Sequence, residues 1–449
     1  MGTISKETPP ELLQDLKVTF QSTSLILPSQ ETKRQSIFLS NIDRILNFHV
    51  ETVHFFPFNK DFPPEIVVEM LKKTLAEILV PYDFLAGRLR ANPETGRLEI
   101  DCNGAGIVFS VASSEYPLDD IGDLVYPNPA FGQLISKSMD NLGQDNQDEP
   151  LCFFQITSFK CGGFAMGIST NHINFDGLAF KIFLDNLAAL AAGKPLPVAP
   201  FNDRRILVAR SPPHVDFPHH ELLKLEHSCP DPVFEATPED LDFKIFRLTS
   251  DDISDLKEKA KAPSGTHIET RITGFNVVTA LVWRCKALSS SDNTSDRISK
   301  MLYAVDIRRR LNPPLPRSFT GNGVLTAYAM AKCGELEEAP FWKLVEKVGE
   351  AATRMTDEYA RSAIDWGEIY RGIPHGEFLL SSWWKLGFEE VDYPWGRPRY
   401  SCPVVYRRKD IILLFPDIEN RSGVNVLVAL PEEEMVRFQS QFHKFLANY

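Results

Sequence analysis

At 449 residues the chain is longer than one hydrophobic core usually organises, which sets two domains of about 200 residues each as the expectation. Hydrophobic residues make up 43% and charged residues 24%, so disordered and collagen-like classes are excluded and a sizeable core can form. A net charge of −12 leaves too little phosphate-neutralising surface for a general nucleic-acid binder. The seven cysteines, at 102, 152, 161, 229, 285, 333 and 402, form neither a C-x-x-C pair nor an even framework, which points to free thiols in a reducing compartment and away from zinc. Met1-Gly-Thr-Ile-Ser-Lys6 has no apolar leader core, and its lysine breaks the myristoylation pattern. No segment approaches the roughly 18 apolar residues of a membrane span. A cytosolic monomer without a membrane span is expected.

In chain order, the first informative segment runs from Leu151 to Phe159, turns at Gly162-Gly163 and continues as an apolar, β-tolerant run, Phe164-Ala-Met-Gly-Ile-Ser-Thr-Asn171. Phe180, Phe183, Leu184, Leu187, Leu190 and Ala191 then recur at helical spacing, and Gly193 supplies the stop. Between strand and helix lies His172-Ile-Asn-Phe-Asp176-Gly177. An imidazole at such a junction titrates near neutrality and can take a proton from a hydroxyl or an amine, so general base is its leading functional reading. A buried histidine bonded within the core is the competing one. A second H-x-x-x-D, His227-Ser-Cys-Pro-Asp231, has no strand before it and no helical period after it. Metal ligation by His172 and Asp176 would need further ligands, and no neighbouring His, Cys or carboxylate cluster offers them, so no metal is expected.

From 196 to 240 repeated prolines interrupt any periodicity, and this segment reads as a crossover linker between an N-terminal domain, 1–195, and a C-terminal domain, 241–449. Beyond it the supersecondary pattern recurs: Asp410 to Phe415, a turn at Asn420-Arg-Ser-Gly423, a strand from Val424 to Leu430, and a helix carrying Met435, Phe438, Phe442, Phe445 and Leu446. This reads as a degenerate duplication. Leu430-Pro-Glu stands where the first copy has its His/Asp junction, so one half carries the base, and a groove between two similar halves is the expected place for catalysis. There is no G-x-S-x-G elbow to support a serine-nucleophile hydrolase.

Three further segments complete the pattern: Leu79-Val-Pro-Tyr-Asp-Phe-Leu-Ala-Gly-Arg-Leu89, Tyr303-Ala-Val-Asp-Ile-Arg-Arg-Arg-Leu-Asn-Pro-Pro-Leu-Pro316 and Asp392-Tyr-Pro-Trp-Gly396. With the His/Asp dyad, and in this order, they resemble the BAHD acyl-CoA-dependent acyltransferases, whose pattern is HxxxDG near the middle and DFGWG near the C terminus. The resemblance covers essentially the whole chain. It implies a mixed α/β fold of two chloramphenicol acetyltransferase-like domains with an active-site channel between them. It implies acyl-CoA as co-substrate, no permanently bound cofactor, and a small-molecule alcohol or amine as acceptor. His172 would deprotonate the acceptor, which attacks the thioester directly, with no acyl-enzyme.

Further roles follow from the same resemblance. Asp176 would turn away from the imidazole and pair with Arg308. Ala304, Asp306, Arg308, Arg309 and Arg310, together with Ser381, Ser382, Trp383 and Trp384, would line the substrate channel, and Ser40 and Asn41 match a segment near the acceptor. The phosphates of CoA call for cations, for which Arg308 to Arg310 and Lys257, Lys259 and Lys261 are candidates; a solvated charged face is the alternative for the lysines. The second motif departs from the family at Tyr393 and Pro394. Proline fixes φ and removes an N–H, which favours a structural role for the motif. Asp392 then reads as an ion-paired brace, with an acidic partner in proton handling as the alternative, and Trp395 and Gly396 as packing and turn residues. The N-terminal half is most similar to the branch that moves hydroxycinnamoyl groups onto long-chain hydroxy acids or fatty alcohols. A catalytically idle member acting as a scaffold or regulatory partner is the reading from another class.

Overall fold

The computed structural model describes residues 13–125, 128–137, 149–225, 237, 239–263, 270–292, 294–404, 408–417 and 422–447. The His227 to Asp231 motif and the Met1 to Lys6 segment lie outside the described residues. The strands and α-helices of the N-terminal half are β1 (Val18–Ile26), β2 (Ser36–Phe38), α1 (Asn41–Arg44), β3 (His49–Phe56), α2 (Pro64–Ile78), β4 (Arg88–Ala91), β5 (Leu98–Asp101), β6 (Ile107–Ser114), β7 (Cys152–Ser158), β8 (Phe164–Asn171) and α3 (Gly177–Ala191). There follow β9 (Leu222–Lys224), β10 (Asp242–Leu248), α4 (Ser250–Lys259), α5 (Gly274–Ser289), β11 (Ile298–Asp306), β12 (Val324–Lys332), α6 (Cys333–Glu338), α7 (Phe341–Thr353), α8 (Asp357–Ile369), β13 (Gly372–Pro374) and β14 (Phe378–Ser382). The last are β15 (Tyr400–Pro403), β16 (Ile411–Pro416), β17 (Val424–Leu430) and α9 (Glu432–Ala447).

Two compact units share these elements. The first comprises Met1–Ile206, Ser318–Asn322 and Leu386–Val405. Its sheet runs β1-β6-β7-β8-β3-β15, with β6 and β7 parallel and the other neighbours antiparallel. β8 is buried at all eight positions, as an inner strand covered on both faces must be, which is why its sequence shows an apolar run rather than alternation. At its centre Gly167 is obligatory: a Cβ there would stand 2.0 Å from the Leu134 carbonyl oxygen. α2 opens with proline at its first turn, where the missing N–H costs nothing, and buries Val67, Leu71, Leu75 and Ile78 at successive turns. The helix that follows β8 ends in a Schellman cap. Lys194 N–H donates to the Ala189 carbonyl and Gly193 N–H to that of Leu190, with Gly193 at a φ of 69°.

The second unit comprises Leu207–Arg317, Gly323–Lys385 and Tyr406–Tyr449, and its sheet runs β10-β17-β16-β14-β11-β12. Here β14 is parallel to both β11 and β16, β16 is antiparallel to β17, and β17 to β10. The run β6-β7-β8-β3 of the first sheet therefore has the same strand directions as β14-β16-β17-β10 of the second, and α3 and α9 each follow the third strand of their run. This is the topology a duplication produces. The copies differ at one place: five residues, His172 to Asp176, separate β8 from α3, whereas Pro431 alone separates β17 from α9.

Two expectations from sequence are revised. The second motif was assigned to the C-terminal domain, but Leu386–Val405 belongs to the first unit, because β15 pairs with β3 (Tyr400 opposite Phe55, Cys402 opposite Val53) and so extends the first sheet. The segment from 196 to 240, read as a linker between the domains, is instead divided after Ile206 between the two units. It contains a 3-10 turn at Arg204–Leu207, and β9 pairs with β13 of the second unit.

Candidate active site

Every residue of the His172 junction has a local reason for its conformation. Asn171 closes a side-chain turn, its Oδ1 accepting from Ile173 N–H at 3.1 Å, while His172 N–H donates to the Phe48 carbonyl at 2.8 Å. Asn174 Nδ2 donates to the Leu151 carbonyl and to Thr170 Oγ1. Phe175 drives into an aromatic cluster with Tyr82, Phe84 and Phe183, at ring separations of 6.1, 5.6 and 5.3 Å. Asp176 is the N-cap of α3, its Oδ1 accepting from Ala179 N–H at 2.9 Å. Ile173, Asn174, Phe175 and Asp176 are buried, and within this loop His172 is the residue that keeps part of its surface open to solvent.

The imidazole of His172 lies against Phe48, with ring centres 5.3 Å apart. The protein packed around it lowers its pKa below the ordinary histidine value; its own backbone, the carboxylates of Asp176 and Asp43 and the side chain of Asn322 oppose that shift without cancelling it. That shift favours the neutral imidazole, the form able to accept a proton. The loop backbone is bound from outside as well. Asn322 Nδ2 donates to the His172 carbonyl at 2.9 Å, and Arg204 donates through Nη1 to the Ile173 carbonyl at 2.5 Å and through Nη2 to that of Asn174 at 3.2 Å. Sequence reasoning missed Asn322, Arg204 and Asp43, which joins them. A partial signal existed: Ser40-Asn-Ile-Asp43 reads as a capping box, and in the structure Ser40 and Asp43 form one at α1.

The sequence-derived site residues in this unit fall as follows. Ser40 is buried and donates to Asp43 Oδ2, and Asn41 Oδ1 accepts from Arg97 Nη2 at 2.8 Å, so both are engaged by the protein itself. In the second motif, Tyr393-Pro-Trp-Gly396 is a β-turn closed by Gly396 N–H donating to the Tyr393 carbonyl at 2.9 Å. Proline thus occupies the first central position of the turn, where its φ is preset and its N–H is not required. Tyr393 and Trp395 are buried and stack at 5.0 Å, with Phe56 edge-on to both, and burial pushes the Tyr393 phenol up. Asp392 is instead three-quarters exposed and stands 3.5 Å from Arg397, the geometry of a surface ion pair.

The second unit carries the remaining candidates. Arg308 is buried and bonds Asp306 through both its backbone N–H and Nη1, at 3.0 and 3.2 Å. Arg309 and Ala304 are exposed, while Arg310 Nη1 donates to the Ala352 and Met355 carbonyls at the end of α7. Trp384 is buried against Gly274, Trp383 N–H donates to the Leu414 carbonyl, and Ser381 and Ser382 are half-buried. Of the lysines, Lys259 donates to the Phe445 carbonyl at 2.7 Å, Lys261 pairs with Glu258, and Lys257 is half-buried. Among the described residues no group of three or more His, Cys, Asp or Glu could hold a metal ion, and no helix is long and apolar enough to cross a membrane.

This unit also holds a Ser–His–Glu chain that the sequence did not suggest. Ser362 Oγ is 2.9 Å from His219 Nε2, and His219 Nδ1 is 2.9 Å from Glu221 Oε1, whose carboxylate also accepts from Tyr359. All of these residues are buried, and the Ser362 hydroxyl oxygen already accepts from Asp216 N–H and Phe217 N–H. It is a brace for the chain at 216–221.

The transferase family model matches residues 16–445. The chain is 61% identical to "Acyltransferase GLAUCE" of Arabidopsis thaliana over 453 residues, which span 99% of this chain and 100% of that one. It is 36% identical to the Arabidopsis thaliana omega-hydroxypalmitate O-feruloyl transferase, over 95% of this chain and 93% of the relative. It is 35% identical to the fatty alcohol:caffeoyl-CoA acyltransferase of the same organism, over 95% and 98%. Among solved structures, vinorine synthase superposes with a TM-score of 0.71 at 23% identity, covering 94% of this chain and 96% of that one. F. graminearum TRI101 with coenzyme A and deoxynivalenol superposes at 0.73 and 13% identity, covering 91% and 98%. A family match across almost the entire chain, with relatives of this identity, makes the protein a member of the BAHD transferase family, an acyl-CoA-dependent acyltransferase.

Proposed function

We propose that His172 is the general base that transfers a hydroxycinnamoyl group from its CoA thioester to the hydroxyl of a long-chain hydroxy acid or fatty alcohol. The observation that carries this reading is the His172 junction itself: a histidine that keeps part of its surface open to solvent, its pKa lowered by the protein packed around it, on a loop whose other members are buried. The imidazole accepts the hydroxyl proton as the acceptor oxygen attacks the thioester carbonyl carbon. The tetrahedral oxyanion then collapses, the C–S bond breaks, and the imidazolium returns the proton to the departing CoA sulfur. Asp176 serves by capping α3, and Asp392 braces the second motif through Arg397 rather than handling protons. With Lys259, Lys261 and Arg310 committed to protein partners, Arg309 and Lys257 are the better candidates for the phosphates of CoA. The substrate classes are supported by the printed activities of relatives at 36% and 35% identity. A cytosolic protein belongs to the same proposal, supported by the six unpaired cysteines among the described residues; a monomeric state is proposed with it.

The test is thiol release from feruloyl-CoA and caffeoyl-CoA with ω-hydroxypalmitate, a fatty alcohol and shikimate as acceptors. His172→Ala is expected to lower the rate by about 10²- to 10⁴-fold. Retention of more than half the wild-type kcat/KM in that variant refutes the base assignment. No thiol release from wild type with any donor would favour the scaffold reading.

A further inference from the structure

We infer that Asp43, Arg204 and Asn322 act together as positioning residues, a clamp that holds the peptide segment of His172 in one orientation. The inference deepens the general-base reading and rests on it. Three successive carbonyls, those of His172, Ile173 and Asn174, are each bound by a side chain from outside the loop: the first by Asn322, the next two by the fork of Arg204. Both clamping side chains are fastened to one carboxylate. Asp43 Oδ1 accepts from Asn322 N–H at 3.0 Å and Nδ2 at 2.9 Å and lies 3.5 Å from Arg204 Nη1, while Oδ2 accepts from Ser40 N–H and Oγ at 3.0 and 2.7 Å. Asp43, Asn322 and Arg204 are all at most 1% exposed. Buried charges of this kind are costly unless paired, and here Asp43 Oδ1 faces the two side chains that hold the loop while Oδ2 is satisfied by Ser40.

The duplication supplies an internal control. In the second copy a single proline joins strand to helix, leaving no extended loop with carbonyls to tie down. The clamp accompanies the five-residue junction, the copy that bears the histidine. Its purpose follows from the sensitivity of catalysis to geometry, where a misplacement of about 1 Å costs about 10²-fold in rate. The charged groups that act on the imidazole are the carboxylates of Asp176 at the start of α3 and Asp43 on α1; Arg204, on the 3-10 turn, pairs with Asp43. The negative charge of Asp43 favours the imidazolium.

Three variants of the full chain test the clamp. Asn322→Ala removes the donor to the His172 carbonyl, Asp43→Asn removes the charge, and Arg204→Lys keeps the charge but cannot fork between two carbonyls. Each is expected to lower kcat by about 10- to 100-fold while leaving the KM for acyl-CoA within about threefold. Histidine-labelled protein followed by NMR gives a readout independent of turnover: the His172 titration midpoint moves to lower pH in Asp43→Asn and stays near wild type in Arg204→Lys. A role confined to folding would lower soluble yield but leave both kcat per folded molecule and the titration midpoint unchanged, and that result overturns the inference. If wild-type protein shows no His172-dependent transfer, the general-base reading fails on its own assay, and the NMR midpoints still decide whether the clamp controls the imidazole.

Discussion

Replacing Pro394 with glycine separates a structural from a catalytic role for the second motif. Proline stands at the first central position of the Tyr393 to Gly396 turn, so glycine can adopt the same conformation, and the closing hydrogen bond from Gly396 N–H to the Tyr393 carbonyl is not touched. The buried, stacked rings of Tyr393 and Trp395 hold the turn from both sides. What changes is the unfolded chain, which gains backbone freedom and lowers stability by about 0.4–1 kcal/mol. With a urea m-value at the upper end of the usual range, about 3 kcal/mol/M, the unfolding midpoint should fall by about 0.1–0.3 M with m unchanged. In steady-state assays kcat and the KM for acyl-CoA should stay within a few-fold of wild type. A rate change beyond about thirtyfold, about 2 kcal/mol in the transition state, would refute the reasoning and put the turn in the catalytic cycle.

Three other outcomes are expected. Asp176→Asn retains the helix cap and Asp176→Ala does not, so urea unfolding should find the alanine variant less stable than the asparagine variant by about 1 kcal/mol; equal stabilities would mean that the cap contributes nothing. Burial holds the pKa of His54 down to about 3 and that of His49 to about 4, so below pH 6.5 the unfolded chain takes up protons that the native protein does not. Stability is thus complete above pH 6.5 and falls as the solution is acidified toward those values, by up to about 1.4 kcal/mol per pH unit for each histidine; chemical denaturation at pH 7.5 and pH 5 measures this, and replacing His54 should flatten the slope. Because the pKa of His172 is likewise lowered, the acid limb of the kcat/KM profile should lie below pH 6.5, and a limb above pH 7 would contradict a base in this setting.

The parts of this protein that announced themselves in sequence are those governed by local periodicity. The apolar run at 164–171, the helical spacing from Phe180 to Leu187 and the stop at Gly193 correspond to β8, α3 and its Schellman cap, and the repeat around Val424 to Leu430 corresponds to β17. What periodicity cannot convey is pairing between segments far apart in the chain. β15 joins β3 across more than 300 residues, so the second motif belongs to the first unit although it lies near the C terminus. Asp43 and Asn322 are 279 residues apart, and Arg204 sits in the proline-interrupted segment that reads as a crossover linker. Nothing in the neighbourhood of any of the three names the others. Among the lysines, read either as cations for the CoA phosphates or as a solvated charged face, Lys259 spends its charge on the Phe445 carbonyl and ring, a long-range contact that charge spacing does not convey.

The Ser362–His219–Glu221 chain has the distances of a hydrolytic triad and none of its access, since the hydroxyl oxygen is enclosed and already holds two backbone N–H groups. A search by triad template alone would mark this acyltransferase as a serine esterase. Fluorophosphonate reagents, which report a nucleophile by reacting with it, should leave the folded protein unlabelled and begin to modify it only where denaturant opens the segment around residues 216–221. The same three side chains can therefore signal opposite things, and what distinguishes them is whether an incoming atom has room to arrive.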